Sequence, residues 1–275
     1  MKLILYRTEG EKIMKKLAYK LLIMLMILAL AGCAESPNRP GTGVGEPEPP
    51  VETNVIYNGK IARIANDTLL IAGAKEKADT VELFSLPLKG LNLLDAKNKS
   101  LEPSEIKAGM LVEIEYDGVV LESYPMQFGN AKSLKVMENE GDLIGMFSSV
   151  IDDLYEVDPG LNSDIDKIAL DLTEITVISN ADKAALANIV GTIYQKEVIQ
   201  GTFETLQEQG YIPKGELYFP DGILIKLSDA GMNMNGFKFL ASKWRSGLGA
   251  YFYTDCDASF RNGTWSYTLG GDAIS

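Results

Sequence analysis

The spacing of apolar residues changes twice along this chain, and those changes constrain its fold more than any single motif. From Val55 to about residue 138, apolar and polar residues alternate in short runs such as "VIYNGKIARI", "TLLIA", "TVELFSL" and "NAKSLKVM", the period of half-buried strands. From Asp142 the period becomes helical: Leu143, Phe147, Ile151 and Leu154 in "DLIGMFSSVIDDLYEVD" fall on one side of a helix. From Gly222 alternation returns. Two folded domains are expected, an all-β one over 55–138 and an α+β one over 142–275.

Within the first, Val112, Ile114 and Tyr116 share one strand face while Glu113 and Glu115 take the other, and Asp117-Gly118 supplies a hairpin turn across "MLVEIEYDGVVLESYP". Five or six short strands in about 85 residues suggest a small barrel, OB-like in proportions. In the second, "IDKIALDL" reads as a strand, and Ser179 with Asp182 frames a capping box that opens "ADKAALANIVGTIY". A strand "EVIQ" and a helix "TFETLQEQG" ending at Gly210 follow. The strands "GILIKL", "GFKFLAS", "GAYFYTDCDASF" and "TWSYTL", the last two joined by Asn262-Gly263, then form an antiparallel C-terminal sheet.

Charge and two scarcities narrow the chemistry. Residues 1–32 hold six of the 26 basic and two of the 38 acidic side chains, leaving 20 against 36, a balance of −16. Such a surface repels phosphate backbones, so nucleic acid is not an expected partner. The chain has no histidine, the commonest general base and zinc ligand. It has two cysteines, Cys33 and Cys256, too few for a cysteine-based metal cluster. No cofactor or metal is expected.

The N-terminal segment does not belong to either domain. Lys15, Lys16 and Lys20 precede an uninterrupted apolar run from Leu21 to Ala31, too short to span a bilayer comfortably and patterned like an export signal. Met14 opens the more typical form of such a signal, so Met1 and Met14 both stand as possible starts. Leu30-Ala31-Gly32-Cys33 resembles the lipobox of bacterial lipoproteins. By that resemblance residues 1–32 are a signal peptide cut between Gly32 and Cys33, and Cys33 is lipidated at the new N-terminus. Two acyl chains, at about 0.8 kcal/mol per buried methylene, hold a protein to a membrane essentially permanently. A transmembrane anchor is the alternative, disfavoured by the short run and by Pro37 and Pro40 just beyond it. Residues 33–54 carry five of the eleven prolines and no apolar period, so they read as a semi-extended tether of up to about 65 Å. "YDGVVLESYPMQFGNAKSLKV" resembles an uncharacterised small β-domain of Gram-positive lipoproteins, and the C-terminal stretch from "SKWRSGLGAYFYTDCDASF" resembles a recurrent terminus of such proteins. Both imply an envelope location and no reaction.

Candidate sites are few. Cys256 lies among apolar residues of its strand, a buried thiol with no histidine to activate it. Ser104 and Lys107 have the S-x-x-K spacing of penicillin-binding enzymes without the partner motifs. Asp152, Asp153, Glu156, Asp158, Asp164 and Asp166 form an acidic run that meets no fixed calcium-ligand spacing, while Asp255, Asp257 and Ser259 hold the first, third and fifth positions of an EF-hand-like loop that has Phe260 at its glycine position and Ser266 at its glutamate position. Lys243, Trp244 and Arg245 are the candidate binding residues: a tryptophan between cations can stack on a sugar ring or grip an anion. Strand alternation offers a plainer reading, with Trp244 packed inward and both cations in solvent. The expected function is a membrane-anchored, extracytoplasmic binding or interaction module, not an enzyme, with an envelope protein or wall component as partner. The rival is an envelope enzyme using carboxylates, with calcium. A cleft holding two or more carboxylates favours the rival; a shallow aromatic groove at Trp244 favours binding.

Overall fold

The computed structural model describes residues 54–74 and 81–275. The expectations for the signal peptide, for Gly32 and Cys33 and for the tether lie outside the described residues. The described part is mostly β, with two sheets and few helices.

The first sheet holds β1 (Val55–Ala65), β2 (Thr68–Gly73), β3 (Leu83–Pro87), β4 (Asn92–Leu94), β5 (Met110–Tyr116), β6 (Val120–Leu121), β7 (Met126–Phe128) and β8 (Ala131–Asn139), in the order β4-β8-β5-β1-β2-β3-β7-β6. Asn66 and Asp67 both have positive φ and turn β1 into β2, the left-handed pair that matches strand twist in a two-residue hairpin. Val112, Ile114 and Tyr116 face inward as their alternation requires, against Leu69, Phe84 and Leu134. Phe84 and Phe128 stack there with ring centroids 4.4 Å apart.

The expected hairpin at Asp117-Gly118 does not form as drawn. The antiparallel neighbours of β5 are β1 and β8, and β6 pairs with β7 instead. The chain leaves at Tyr116 and returns opposite it at Ala131. The Asp117 carboxylate accepts the Val119 amide at 2.9 Å, so the turn residues close a local loop and not a register between long strands.

The second sheet is flanked by helices α1 (Leu143–Glu156), α2 (Asn180–Tyr194) and α3 (Phe203–Glu208). Its strands are β9 (Lys167–Glu174), β10 (Glu197–Gln200), β11 (Gly222–Asp229), β12 (Gly236–Ser246), β13 (Gly249–Arg261), β14 (Thr264–Thr268) and β15 (Gly271–Ile274). The order is β10-β9-β11-β12-β13-β14, with β15 also on β13; β10, β9 and β11 run parallel and the other pairs antiparallel. Asp142 caps α1 by accepting the Gly145 amide at 2.7 Å. Ser179 and Asp182 cap α2 reciprocally, the box read from sequence.

One apolar interior serves both sheets. Phe147, Ile151 and Leu154 of α1 meet Phe237 and Phe239 of β12, and the same cluster takes in Ala62, Ala72 and Leu83 from the first sheet. The described residues belong to one compact unit. On the far face of the second sheet, Phe203, Leu206 and Phe219 cover Leu224 and Trp244.

The face assignment along β13 changes midway. Simple alternation groups Phe252 and Thr254 with Cys256. Yet Cys256 is fully buried while Phe252 is 37% exposed. Asp255 has φ +51, and β12 and β13 slip register there, since Phe239 pairs with Cys256 but Ala241 with Tyr253. That bulge reverses the parity of everything before it.

Candidate functional site

The sequence candidates around Trp244 have structural employment. On β12 the inward face runs Phe237, Phe239, Ala241 and then Lys243, which is 0% exposed. Its ammonium donates to the carbonyls of Tyr155, Val157 and Asp158 and to Asn162 Oδ1. Burial pushes this lysine down to about 8, against the pull of the Asp158 and Glu156 charges. Arg245 donates to the carbonyls of Leu161 at 3.0 Å, Ser163 at 2.6 Å and Pro220 at 3.2 Å. Together the two cations tie down the loop after α1. Trp244 points to the other face and meets Phe203 edge-on at 5.2 Å. The expectation that both cations face solvent is therefore corrected for Lys243: the strand parity that turns Trp244 toward α3 turns its neighbour into the helix layer.

The other candidates are dispersed. Ser104 sits in an exposed single turn, Pro103–Glu105. Glu115 accepts from Asn54 and Ser133. Asp152 accepts the Tyr194 hydroxyl and Asp153 the Tyr267 hydroxyl, each at 2.6 Å, while Asp257 pairs with Lys238 at 3.2 Å. Among the described residues, no three acidic or cysteine side chains gather as a metal site would require. Burial pushes the Cys256 thiol up, away from the nucleophilic thiolate.

What the fold builds is a cleft of about 910 Å³ where the two sheets meet. One wall is the end of β1, with Arg63 and Ile64, and the turn at Lys107 and Ala108. The register of β1 against β2 slips between Ile61 and Arg63, a bulge of the kind that re-aims a side chain. The floor is the first two turns of α1 with Ile189 and Ile193 of α2, and the far wall is β14 with Trp265 and Tyr267.

These rings are fixed in place. The Trp265 indole donates to the Glu140 carbonyl at 3.2 Å and packs on Phe260 and Phe237. The Tyr267 hydroxyl is held by Asp153, and burial raises its pKa. One carboxylate, Asp142, lines the cleft. Burial pushes it above its ordinary 3.8, while the Gly145 amide and the charge of Lys60 act in the opposite sense. Among the described residues neither the Arg63 guanidinium nor the Lys107 ammonium has an ion pair or a hydrogen bond, though the Lys107 amide donates to Met110 Sδ at 3.3 Å. A rigid aromatic wall, a floor of mixed aliphatic and hydroxyl side chains and two uncommitted cations are suited to holding an amphiphilic anion.

Of these residues the sequence reading singled out Lys107 alone, for a different reason. Trp265 and Tyr267 carried a signal, two large rings on one face of the last long strand, but nothing linear places them beside Ile64 or Ile193. Compared with models of known protein families and with curated proteins, the chain matches none of them.

Proposed function

We propose that this chain is a lipid-anchored lipoprotein on the extracytoplasmic face of the cell membrane, and that its body is a binding module that works through the cleft between the sheets. The observation that carries the binding half is the cleft itself: its volume falls in the range of ligand sites, and it combines a fixed aromatic wall with unspent polar groups. A single lining carboxylate is the composition of a binding surface more than of a paired acid and base. The anchor half rests on Leu30-Ala31-Gly32-Cys33 after a short apolar run. The partner is an envelope protein or wall component, and the net charge of −12 argues against nucleic acid.

The finer architecture belongs to the same proposal. β7 and β8 are separated by Gly129 and Asn130 alone; β7 pairs with β3 in parallel, and β8 with β5 antiparallel. Taken as one interrupted strand, they complete a five-strand circuit with β1, β2, β3 and β5, an OB-like barrel followed by an α+β domain.

The test is a photo-crosslinking side chain at Ser149, in the cleft floor, of the full anchored chain in its native envelope. A second one at Lys89, outside the cleft, is the control. A reproducible adduct from Ser149, absent from Lys89, is expected. Identical adducts from both positions, or none from either, contradict the cleft as the working surface. The carboxylate-enzyme rival predicts a rise in melting temperature with calcium, which the binding reading does not.

A further inference from the structure

We infer that the cleft takes a short peptide through its free C-terminal carboxylate, an inference that rests on the cleft being the binding site. Bases are outnumbered in this chain, 26 against 38 acids, and several of them are committed. Lys60 is taken by Asp182 at 2.9 Å, Lys243 and Arg245 by backbone carbonyls, and Lys226 by Glu174 at 2.6 Å. Arg63 and Lys107 are left over on one cleft wall, with no partner among the described residues. The half-buried Arg63 guanidinium presents a planar fork of donors that matches the two oxygens of a carboxylate, and the exposed Lys107 ammonium adds a point charge to the same lining.

Phosphate fits less well. The feature that favours a tetrahedral anion is a helix N-terminus with free amides, and α1 offers its N-terminus to the cleft already capped. The Asp142 carboxylate holds the Gly145 amide at 2.7 Å, and the Leu143 amide donates to Gly141. Asp142 also sets a negative charge where a dianion would need to approach. The rest of the lining suits amide-bearing, partly apolar matter. Ile64 and Ile193 are exposed enough to receive an aliphatic side chain, the Trp265 ring is fixed by its indole hydrogen bond in the same lining, and the Ser148 and Thr264 hydroxyls are free to meet peptide groups.

The experiment titrates the full chain in detergent with N-acetyl-Ala-Leu-Ala as the free acid, with the same tripeptide as its C-terminal amide, and with inorganic phosphate. Binding is read by calorimetry and by Trp265 fluorescence in a Trp244→Phe background. The acid is expected to bind and the amide to bind at least about tenfold more weakly, the scale of one charge-assisted pair. Arg63→Gln, with an unchanged melting temperature, is expected to bring the acid down to the amide and to leave the amide unaffected. Equal binding of acid and amide overturns the carboxylate inference and leaves the cleft as a site. Phosphate competing as well as the acid overturns the peptide class. No binding of any probe, while Ser149 still crosslinks a partner, overturns the ligand class alone; no binding and no crosslink overturn both readings.

Discussion

At position 243 an ammonium group stands where the alternation of β12 has placed Phe237, Phe239 and Ala241. Its four oxygen partners make it a clamp on residues 155–162. Lys243→Met fills the volume and leaves those carbonyls without a donor, so it is expected to cost about 2–4 kcal/mol in chemical denaturation; a loss under about 0.5 kcal/mol contradicts the clamp. Asp229 plays a comparable part at the end of β11. Its carboxylate accepts from the Thr176 amide and hydroxyl and from the Val177 and Gly231 amides. Partial burial opposes the charge, but these bonds outweigh it and hold the carboxyl below its ordinary 3.8. A carboxyl depressed in the folded state stabilises above its unfolded pKa and loses that contribution as pH falls through the folded value. Asp229→Asn is therefore expected to lower the melting temperature at pH 7 and to differ progressively less from the parent as pH falls below about 3.8. A gap that persists undiminished at low pH contradicts the assignment.

Among elements, the turn before β5 crosses the residues that follow β8 at close range. Gly109 has φ +84, and a Cβ there would lie 2.2 Å from the carbonyl carbon and oxygen of Gly141. Its amide donates to Ile61 and its carbonyl accepts from Glu140, so the backbone has no room to retreat. Gly109→Ala is expected to cost about 3 kcal/mol or more, whereas Gly90→Ala, with φ +88 and nothing within 4 Å, is expected to cost about 1 kcal/mol. Equal losses in the two contradict a packed crossing. Local signals of this kind were partly legible. The Ser179–Asp182 box, the strand Glu197–Gln200 and the turn at Asn66-Asp67 follow from side chains within three residues of one another. The partner of β5 and the parity of β13 did not. Asp117-Gly118 closes a local loop as readily as a hairpin, and a bulge at Asp255 needs one left-handed aspartate that no periodicity marks.

Over the whole molecule, the helices are shared property, and this is why the cleft was hidden from the sequence. Strand alternation marked β1 and β14 as strands, but not that a common helix layer draws the two together. Lys60 of β1 reaches Asp182 in the first turn of α2 at 2.9 Å. Asp182 is 2% exposed, and its second oxygen has no hydrogen bond, so removing the cation strands a buried charge. Lys60→Met is expected to lose about 3 kcal/mol and to destabilise both sheets together in hydrogen exchange; loss confined to one sheet contradicts a shared interior. The function proposed for this body includes a proposed place of work, beyond the membrane and moored to it. The most direct test is mass spectrometry of the N-terminal peptide of the protein purified from its native cell. The account predicts a chain that begins at Cys33 with its sulfur acylated; a Cys33 found as a free thiol within an uncut N-terminal segment would contradict it.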